Sequence, residues 1–460
     1  MEVREREKLN ISKTNVFQNI MTKVDVKPTE VQEVLRQHMI VDGFDVTLDL
    51  QKSKGSYIYD SKHDKNYLDF FTFVASNPLG MNHPKLHNDE FIRKIGEIAI
   101  SKPSLSDIYA KEQADFVETF FKIAVPDYFK YSFFIEGGAL AVENALKAAF
   151  DWKVRKNFAK GYKEEKGHKV IHFKESFHGR SGYTLSLTNT DPTKTDLFPK
   201  FKWPRIVNPK VTFPLNEENL TKVIYAENMA MDEIKLAIHE NKDDIAALIL
   251  EPIQGEGGDN HFRKEFFIKL REICDENEIM FILDEVQTGI ALTGKWWAHQ
   301  HYVQPDMVTF GKKTQVCGVL CSDRIDEVAE NVFKKPSRIN STWGGNIVDM
   351  VRFTKILEVI QEDNLVENAA TVGAHLQSKI QELSDKYPAV VSNPRGLGLM
   401  CAFDAKDTDT RNKITSGAFD NGLMILGCGT KSVRFRPTLN VTKDEINAGI
   451  QILDEVLSKI

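Results

Sequence analysis

Two apolar runs of this chain each end in a residue that could do chemistry. Phe281-Ile282-Leu283 runs into Asp284 and on through Glu285-Val286-Gln287-Thr288-Gly289, and Met307-Val308-Thr309-Phe310 runs into Gly311-Lys312-Lys313. A carboxylate at the end of a buried strand is costly unless something cationic meets it. A lysine amine held in a desolvated cleft loses its charge readily. An aldehyde cofactor with a basic ring nitrogen uses both groups: the amine condenses with the aldehyde, and the carboxylate keeps the ring nitrogen protonated, so that the ring can hold an electron pair. Pyridoxal 5'-phosphate fits that description, with one of the adjacent lysines Lys312 and Lys313 as the Schiff-base lysine and Asp284 as the ring-nitrogen partner. The chemistry implied is amino-group transfer.

Other strand ends carry matching pieces. Glu136-Gly137-Gly138-Ala139 passes from a strand into a helix and offers backbone N–H groups to a phosphate. Phe177-His178-Gly179-Arg180 supplies a flat ring able to stack on a pyridine and a guanidinium able to grip a carboxylate. Gln287 is three residues beyond Asp284, in reach of the cofactor's phenolic oxygen. Glu251-Pro252-Ile253-Gln254-Gly255-Glu256-Gly257-Gly258 follows another apolar run, and Arg434 lies in Ser432-Val433-Arg434-Phe435-Arg436-Pro437. A glutamate that pairs with an arginine and releases it on demand would let one site read two carboxylate positions. Taken singly, each motif has an ordinary structural reading: a solvated turn, a helix cap, a core phenylalanine, a surface charge.

Short apolar runs at 131–135, 169–173, 246–250, 280–283 and 307–310 suit buried strands, with amphipathic stretches such as 143–156 and 264–276 between them. That alternation predicts an α/β fold with a large, mainly parallel sheet, whose ligands bind at the carboxyl ends of the strands. Residues 1–60 read as a separate entry segment, packing with the smaller domain, with an amphipathic stretch at 29–39 and strands at 44–50 and 57–60. Residues 61–344 read as the large cofactor-binding domain. Residues 345–460 read as a smaller α+β domain opening on one long helical pattern over 348–387 and closing on a helix over 443–457.

The chain has 460 residues, 60 basic and 66 acidic, for a formal charge of -6. Without basic blocks it offers no footprint for nucleic acid or an anionic membrane. The charged start from Met1 to Lys8 and the absence of a long apolar run predict a soluble, cytoplasmic protein. Five scattered cysteines suit reduced thiols, and Cys317 and Cys321, four apart but without clustered histidines, do not predict a metal site.

Read together, these motifs and Ser76-Asn77-Pro78-Leu79-Gly80-Met81-Asn82-His83-Pro84 resemble the class III (ω-amino acid) aminotransferases of the type I pyridoxal phosphate fold, over nearly the whole chain. Three departures from the usual family pattern, at residues 136–144, 290–294 and 311–318, resemble the branch that acts on the 6-amino group of L-lysine. The resemblance implies transfer of that amino group to 2-oxoglutarate, giving 2-aminoadipate 6-semialdehyde and glutamate; ornithine, acetylornithine and 4-aminobutyrate are the rival donors, and a non-catalytic cofactor-binding relative is the rival of another class. It implies Lys312 and Asp284 as catalytic residues, and Gly138, Ala139, Phe177, His178 and Gln287 as cofactor contacts. Arg180 would take the distal carboxylate, Arg434 the α-carboxylate of 2-oxoglutarate, and Glu256 would mask Arg434 while lysine binds. Thr342 matches a threonine that completes the phosphate site of the other subunit, which implies a homodimer with shared active sites.

Overall fold

The structure is a computed structural model that describes residues 24–460; the charged start from Met1 to Lys8 lies outside the described residues. Contacts divide the chain into two compact units, one of residues up to 53 with 58–66, the other of 54–57 with 67–460. In the first, the amphipathic stretch forms only a short helix, Val31–Arg36. The strand expected at 44–50 does not form: Leu48 makes one isolated bridge, to Asp60. Alternation of apolar and polar residues does not make a strand without a ladder partner. The strand at Tyr57–Asp60 is present.

The second unit is built on a seven-stranded sheet. Its strands are β1 (Phe129–Ile135), β2 (Lys169–Phe173), β3 (Arg205–Ile206), β4 (Ile245–Leu250), β5 (Met280–Asp284), β6 (Met307–Phe310) and β7 (Cys317–Ser322), in the spatial order β1-β7-β6-β5-β4-β2-β3. Pairing is parallel from β6 through β3, whereas β7 runs antiparallel to both β6 and β1. β1 is therefore codirectional with the parallel strands, and the carboxyl ends of β1, β2, β4, β5 and β6 share one edge. The sequence reading placed five of these strands and missed two: the two-residue β3, and β7, which continues out of the lysine turn. Cys317 and Cys321 stand at either end of that strand.

Helices cover both faces, and side-chain alternation assigns each strand residue to one of them. α1 (Gly138–Ala159) packs Val142, Leu146, Ala149 and Trp152 onto Val170, Ala247, Ile249, Ile282 and Met307. α2 (Glu217–Glu240) and α3 (Lys264–Glu276) pack Ile234, Phe266, Phe267 and Leu270 onto Ile171, Leu248, Phe281 and Leu283. Each large side chain so buried stabilises the fold by about 1.5–3 kcal/mol. The strand ends are thereby held on a rigid platform.

Beyond residue 345 the expected single helix is two, α4 (Ile347–Glu362) and α5 (Leu365–Lys386). The break falls at Asn364, whose left-handed backbone (φ 52°) cannot continue a right-handed helix. A four-stranded antiparallel sheet follows, β8 (Val391–Leu397), β9 (Met400–Ala405), β10 (Leu426–Cys428) and β11 (Ser432–Phe435), in the order β8-β9-β11-β10. The last helix, α6 (Lys443–Leu457), has the expected bounds and opens on a capping box between Thr442 and Glu445. No helix among the described residues is long and apolar enough to cross a membrane.

Candidate active site

Close approaches at glycines draw the strand ends together. A Cβ on Gly138 would stand 3.0 Å from Val286 Cγ1, one on Gly179 would stand 2.5 Å from Ala139 Cβ, and one on Gly311 would stand 3.4 Å from Val286 Cγ1. The turn after β1, the loop after β2, the turn after β5 and the lysine turn after β6 are thus in mutual contact around Val286.

Asp284, at the end of β5, is 5% exposed. His178 Nδ1 donates to its Oδ2 at 2.7 Å, while Thr309 Oγ1 (3.0 Å) and the Val286 N–H (3.1 Å) donate to Oδ1. An ionised carboxylate offers about four acceptor positions, so one remains on Oδ2, and the other three fix its direction. His178 is itself buried, with its Nε2 unpartnered.

The two lysines of the turn have different surroundings. Lys313 is buried and its Nζ donates to two main-chain carbonyls, Gln287 O at 2.7 Å and Ala75 O at 3.3 Å. Its amine is committed to holding the turn. Lys312 has left-handed backbone (φ 54°) and is half-buried, and no hydrogen bond or ion pair engages its amine among the described residues. Loss of water around that amine pushes its pKa down to about 8, assisted by the charges of Arg434 and Arg436 and opposed by Glu256 and Glu251. An amine so placed is a ready nucleophile and proton carrier near neutral pH.

The phosphate cradle is open for an anion. Gly137 caps α1 with φ 108°, no side chain caps the helix start, and the first turn carries no acidic residue. Glu136, beside the cradle, pairs with Lys102 at 3.0 Å, and the Lys102 amine also lies 4.5 Å from the centre of the Trp343 ring.

Gln287 is oriented by a pair that the sequence reading did not single out. Arg436 Nε donates to Gln287 Oε1 at 3.0 Å, while its two terminal nitrogens grip Asp259. Arg436 is 2% exposed and Asp259 0%. With its oxygen taken, Gln287 has its amide nitrogen to offer. A Cβ on Gly255 would lie 2.4 Å from that nitrogen, so the position admits only glycine without moving the amide. Glu251 fastens the neighbouring loops by accepting from Phe177 N (2.9 Å) and Gly255 N (3.0 Å). Burial pushes its carboxyl up to about 7, with His178 acting the other way.

Glu256 lies between two cations. Its Oε2 is 3.1 Å from Arg434 Nη1 and its Oε1 is 2.5 Å from Lys194 Nζ. Burial alone would raise its carboxyl; Arg434, and then Lys194, outweigh that and hold it below the usual range. The Lys194 amine also lies 5.6 Å from the centre of the Phe177 ring. Arg180, at the exposed end of the same loop, and Thr342, exposed in the 341–345 turn, have no hydrogen-bond or ionic partner among the described residues. The chain thus brings Gly138, Ala139, Phe177, His178, Glu256, Asp284, Gln287, Lys312 and Arg434 into one network of contacts and charges and leaves Arg180 and Thr342 outside it.

The family described as Aminotransferase class-III matches residues 41–457. An L-lysine-epsilon aminotransferase from Mycobacterium tuberculosis is 51% identical, covering 94% of this chain and 96% of its own. One from Streptomyces clavuligerus is 46% identical, covering 92% and 93%. A solved lysine aminotransferase from M. tuberculosis in the internal aldimine form superposes with a TM-score of 0.92 at 50% identity, over 94% of this chain and 100% of that one. The large sheet, the lysine turn after β6 and the sequence match over nearly the full length agree, and the chain belongs to the class-III aminotransferases.

Proposed function

We propose that this chain transfers the terminal amino group of L-lysine to 2-oxoglutarate, giving 2-aminoadipate 6-semialdehyde and glutamate. Its cofactor is pyridoxal 5'-phosphate. The observation that supports a donor reacting at its distal amine, whichever of the rival donors it is, is the ion pair of Glu256 with Arg434. A donor that reacts at its distal amine brings no carboxylate next to the reacting carbon, whereas 2-oxoglutarate does; a masked arginine serves both. The relatives named for lysine, at 46–51% identity over nearly the whole chain, favour L-lysine over ornithine, acetylornithine or 4-aminobutyrate as donor.

The residues present fit the cofactor. The uncapped start of α1 at Gly138 and Ala139 would hold its phosphate, the remaining acceptor position of Asp284 its ring nitrogen, the Gln287 amide nitrogen its phenolic oxygen, Phe177 one face of its ring, and Lys312 its aldehyde. When bound, the cofactor supplies the aldehyde that takes up the amine and the ring that stores the electron pair left by a departing proton. Asp284, held by His178 and Thr309, keeps its negative charge directed at the ring nitrogen. With the cofactor bound, Lys312 Nζ, whose pKa is lowered by burial, would take the proton from the donor carbon and hold it for return. Arg180 grips the α-carboxylate of lysine in one half-reaction and the γ-carboxylate of 2-oxoglutarate in the other. Arg434 takes the α-carboxylate of the acceptor once Glu256 lets it go.

The same reading makes the protein a cytoplasmic homodimer that binds neither nucleic acid nor membrane, with Thr342 of each copy completing the phosphate site of the other. Within each copy, residues 61–344 form the cofactor-binding part, residues 345–460 the smaller part, and residues 1–60 an entry segment. Lysine labelled with heavy nitrogen at either the ε or the α position tests the reaction: label reaches glutamate from the ε position alone. Label arriving from the α position would overturn the proposal.

A further inference from the structure

The carboxylate gate has a second cation. Lys194 closes a short 3-10 turn, Pro192–Lys194, whose start is fixed by Asp191 accepting from the Thr193 N–H. From there its Nζ reaches Glu256 Oε1 at 2.5 Å, while Arg434 Nη1 stands 3.1 Å from the other oxygen. Arg434 is 5% exposed, whereas Glu256 and Lys194 are equally exposed, at 26% and 27%. Arg434 is thus the more deeply buried of the two cations, with the carboxylate between them.

The main chain of Glu256 is pinned. Its carbonyl accepts from Gly429 N at 2.8 Å, the preceding Gly255 N donates to Glu251, and a Cβ on the following Gly257 would collide with the carbonyl oxygen of Glu175 at 2.0 Å. To uncover Arg434 the carboxylate therefore turns about its own side-chain torsions. A half-buried carboxylate that leaves its arginine without another partner pays for desolvation with nothing in return. Lys194 is already in contact with the oxygen facing away from Arg434.

Building on the gate reading above, we propose that Lys194 is a positioning residue of the acceptor half-reaction: it holds Glu256 when Arg434 is given up to the α-carboxylate of a dicarboxylic oxo acid. With the gate closed, Glu256 has two cations and keeps Arg434 if Lys194 is lost. With the gate open, Lys194 is its only cation. Loss of Lys194 therefore weighs on the acceptor half-reaction and spares the donor one. A partly exposed pair of this kind changes an equilibrium by about threefold to fivefold.

The test uses the holoenzyme and follows each half-reaction separately by the cofactor's absorbance. Lys194→Met raises the 2-oxoglutarate concentration needed for half-maximal rate by about threefold to fivefold, leaves the limiting rate in place, and shifts the same quantity for L-lysine by less. Lys194→Arg, which keeps the cation, restores the acceptor value. In a Glu256→Gln background, where there is no carboxylate to hold, Lys194→Met has no further effect. An unchanged acceptor value overturns the proposal, as do equal losses in both half-reactions, the mark of a merely structural role. An acceptor effect that persists in the Glu256→Gln background overturns it too, in favour of direct attraction of the acceptor by Lys194. The gate reading fails separately: Glu256→Gln would then leave the balance between the two half-reactions unaltered.

Discussion

Replacing Arg436 by methionine tests whether the pair behind Gln287 organises the site. Arg436 makes four hydrogen bonds: to Gln287 Oε1, to both oxygens of Asp259 and to the carbonyl of Phe435. Methionine fills much of the volume but leaves the Asp259 carboxylate at 0% exposure without a cation. Removing one partner of a buried ion pair costs about 3–5 kcal/mol, chiefly the burial of the charge left behind. Lys85, which pairs with Glu362 and Asp363 at the surface, provides the contrast: Lys85→Met leaves the stability nearly unchanged. Denaturant unfolding of the cofactor-free protein measures both. Adding Asp259→Asn to Arg436→Met recovers more than half of the loss, since asparagine is neutral and tolerates the left-handed backbone of that position (φ 50°). A loss under about 1 kcal/mol, or no recovery in the double variant, would refute the assignment of a stranded charge.

Three further outcomes follow from the same geometry. Lys312→Ala abolishes turnover and the covalent attachment of the cofactor, seen by absorbance after borohydride reduction, whereas Lys313→Met destabilises the turn but keeps the attachment; the reverse pattern would move the chemistry to Lys313. The rate at which the cofactor-free protein captures pyridoxal 5'-phosphate rises with pH and levels off above about 8, because Lys312 attacks as the neutral amine and its pKa lies below the usual lysine value. Arg434→Met shifts that inflection upward, and an inflection at the ordinary lysine value in the unaltered protein would contradict the reading. Gly255→Ala pushes a Cβ into the Gln287 amide and lowers turnover by at least about tenfold with an unchanged circular-dichroism spectrum; unchanged turnover would remove Gln287 from the mechanism.

How much of the site could be read in advance depended on the distance in sequence between the groups involved. Lys312, Asp284, Gln287 and Phe177 were legible because each ends an apolar run or follows one within four residues, and parallel strands bring such ends to one edge. The Arg436 and Asp259 pair was not, since its partners lie 177 positions apart and neither residue type alone indicates a buried pair. Lys194 looks like any loop lysine until the fold sets it beside Glu256. The choice between Lys312 and Lys313 rests on two main-chain carbonyls, Ala75 and Gln287, that no pattern in Gly-Lys-Lys could reveal. In the fold, the break at Asn364 escaped notice because neither glycine nor proline marks it, and β7 because its small residues follow directly on the lysine turn.

The central claim is that this site takes the distal amine of L-lysine. Rapid mixing of the cofactor-loaded protein with L-lysine, ornithine, N-acetylornithine or 4-aminobutyrate, each in turn, reports the amino-donor half-reaction through the loss of the cofactor's visible band. The account predicts the fastest loss with L-lysine and its reversal by 2-oxoglutarate. A faster loss with any of the other three, or no loss with L-lysine, would contradict it.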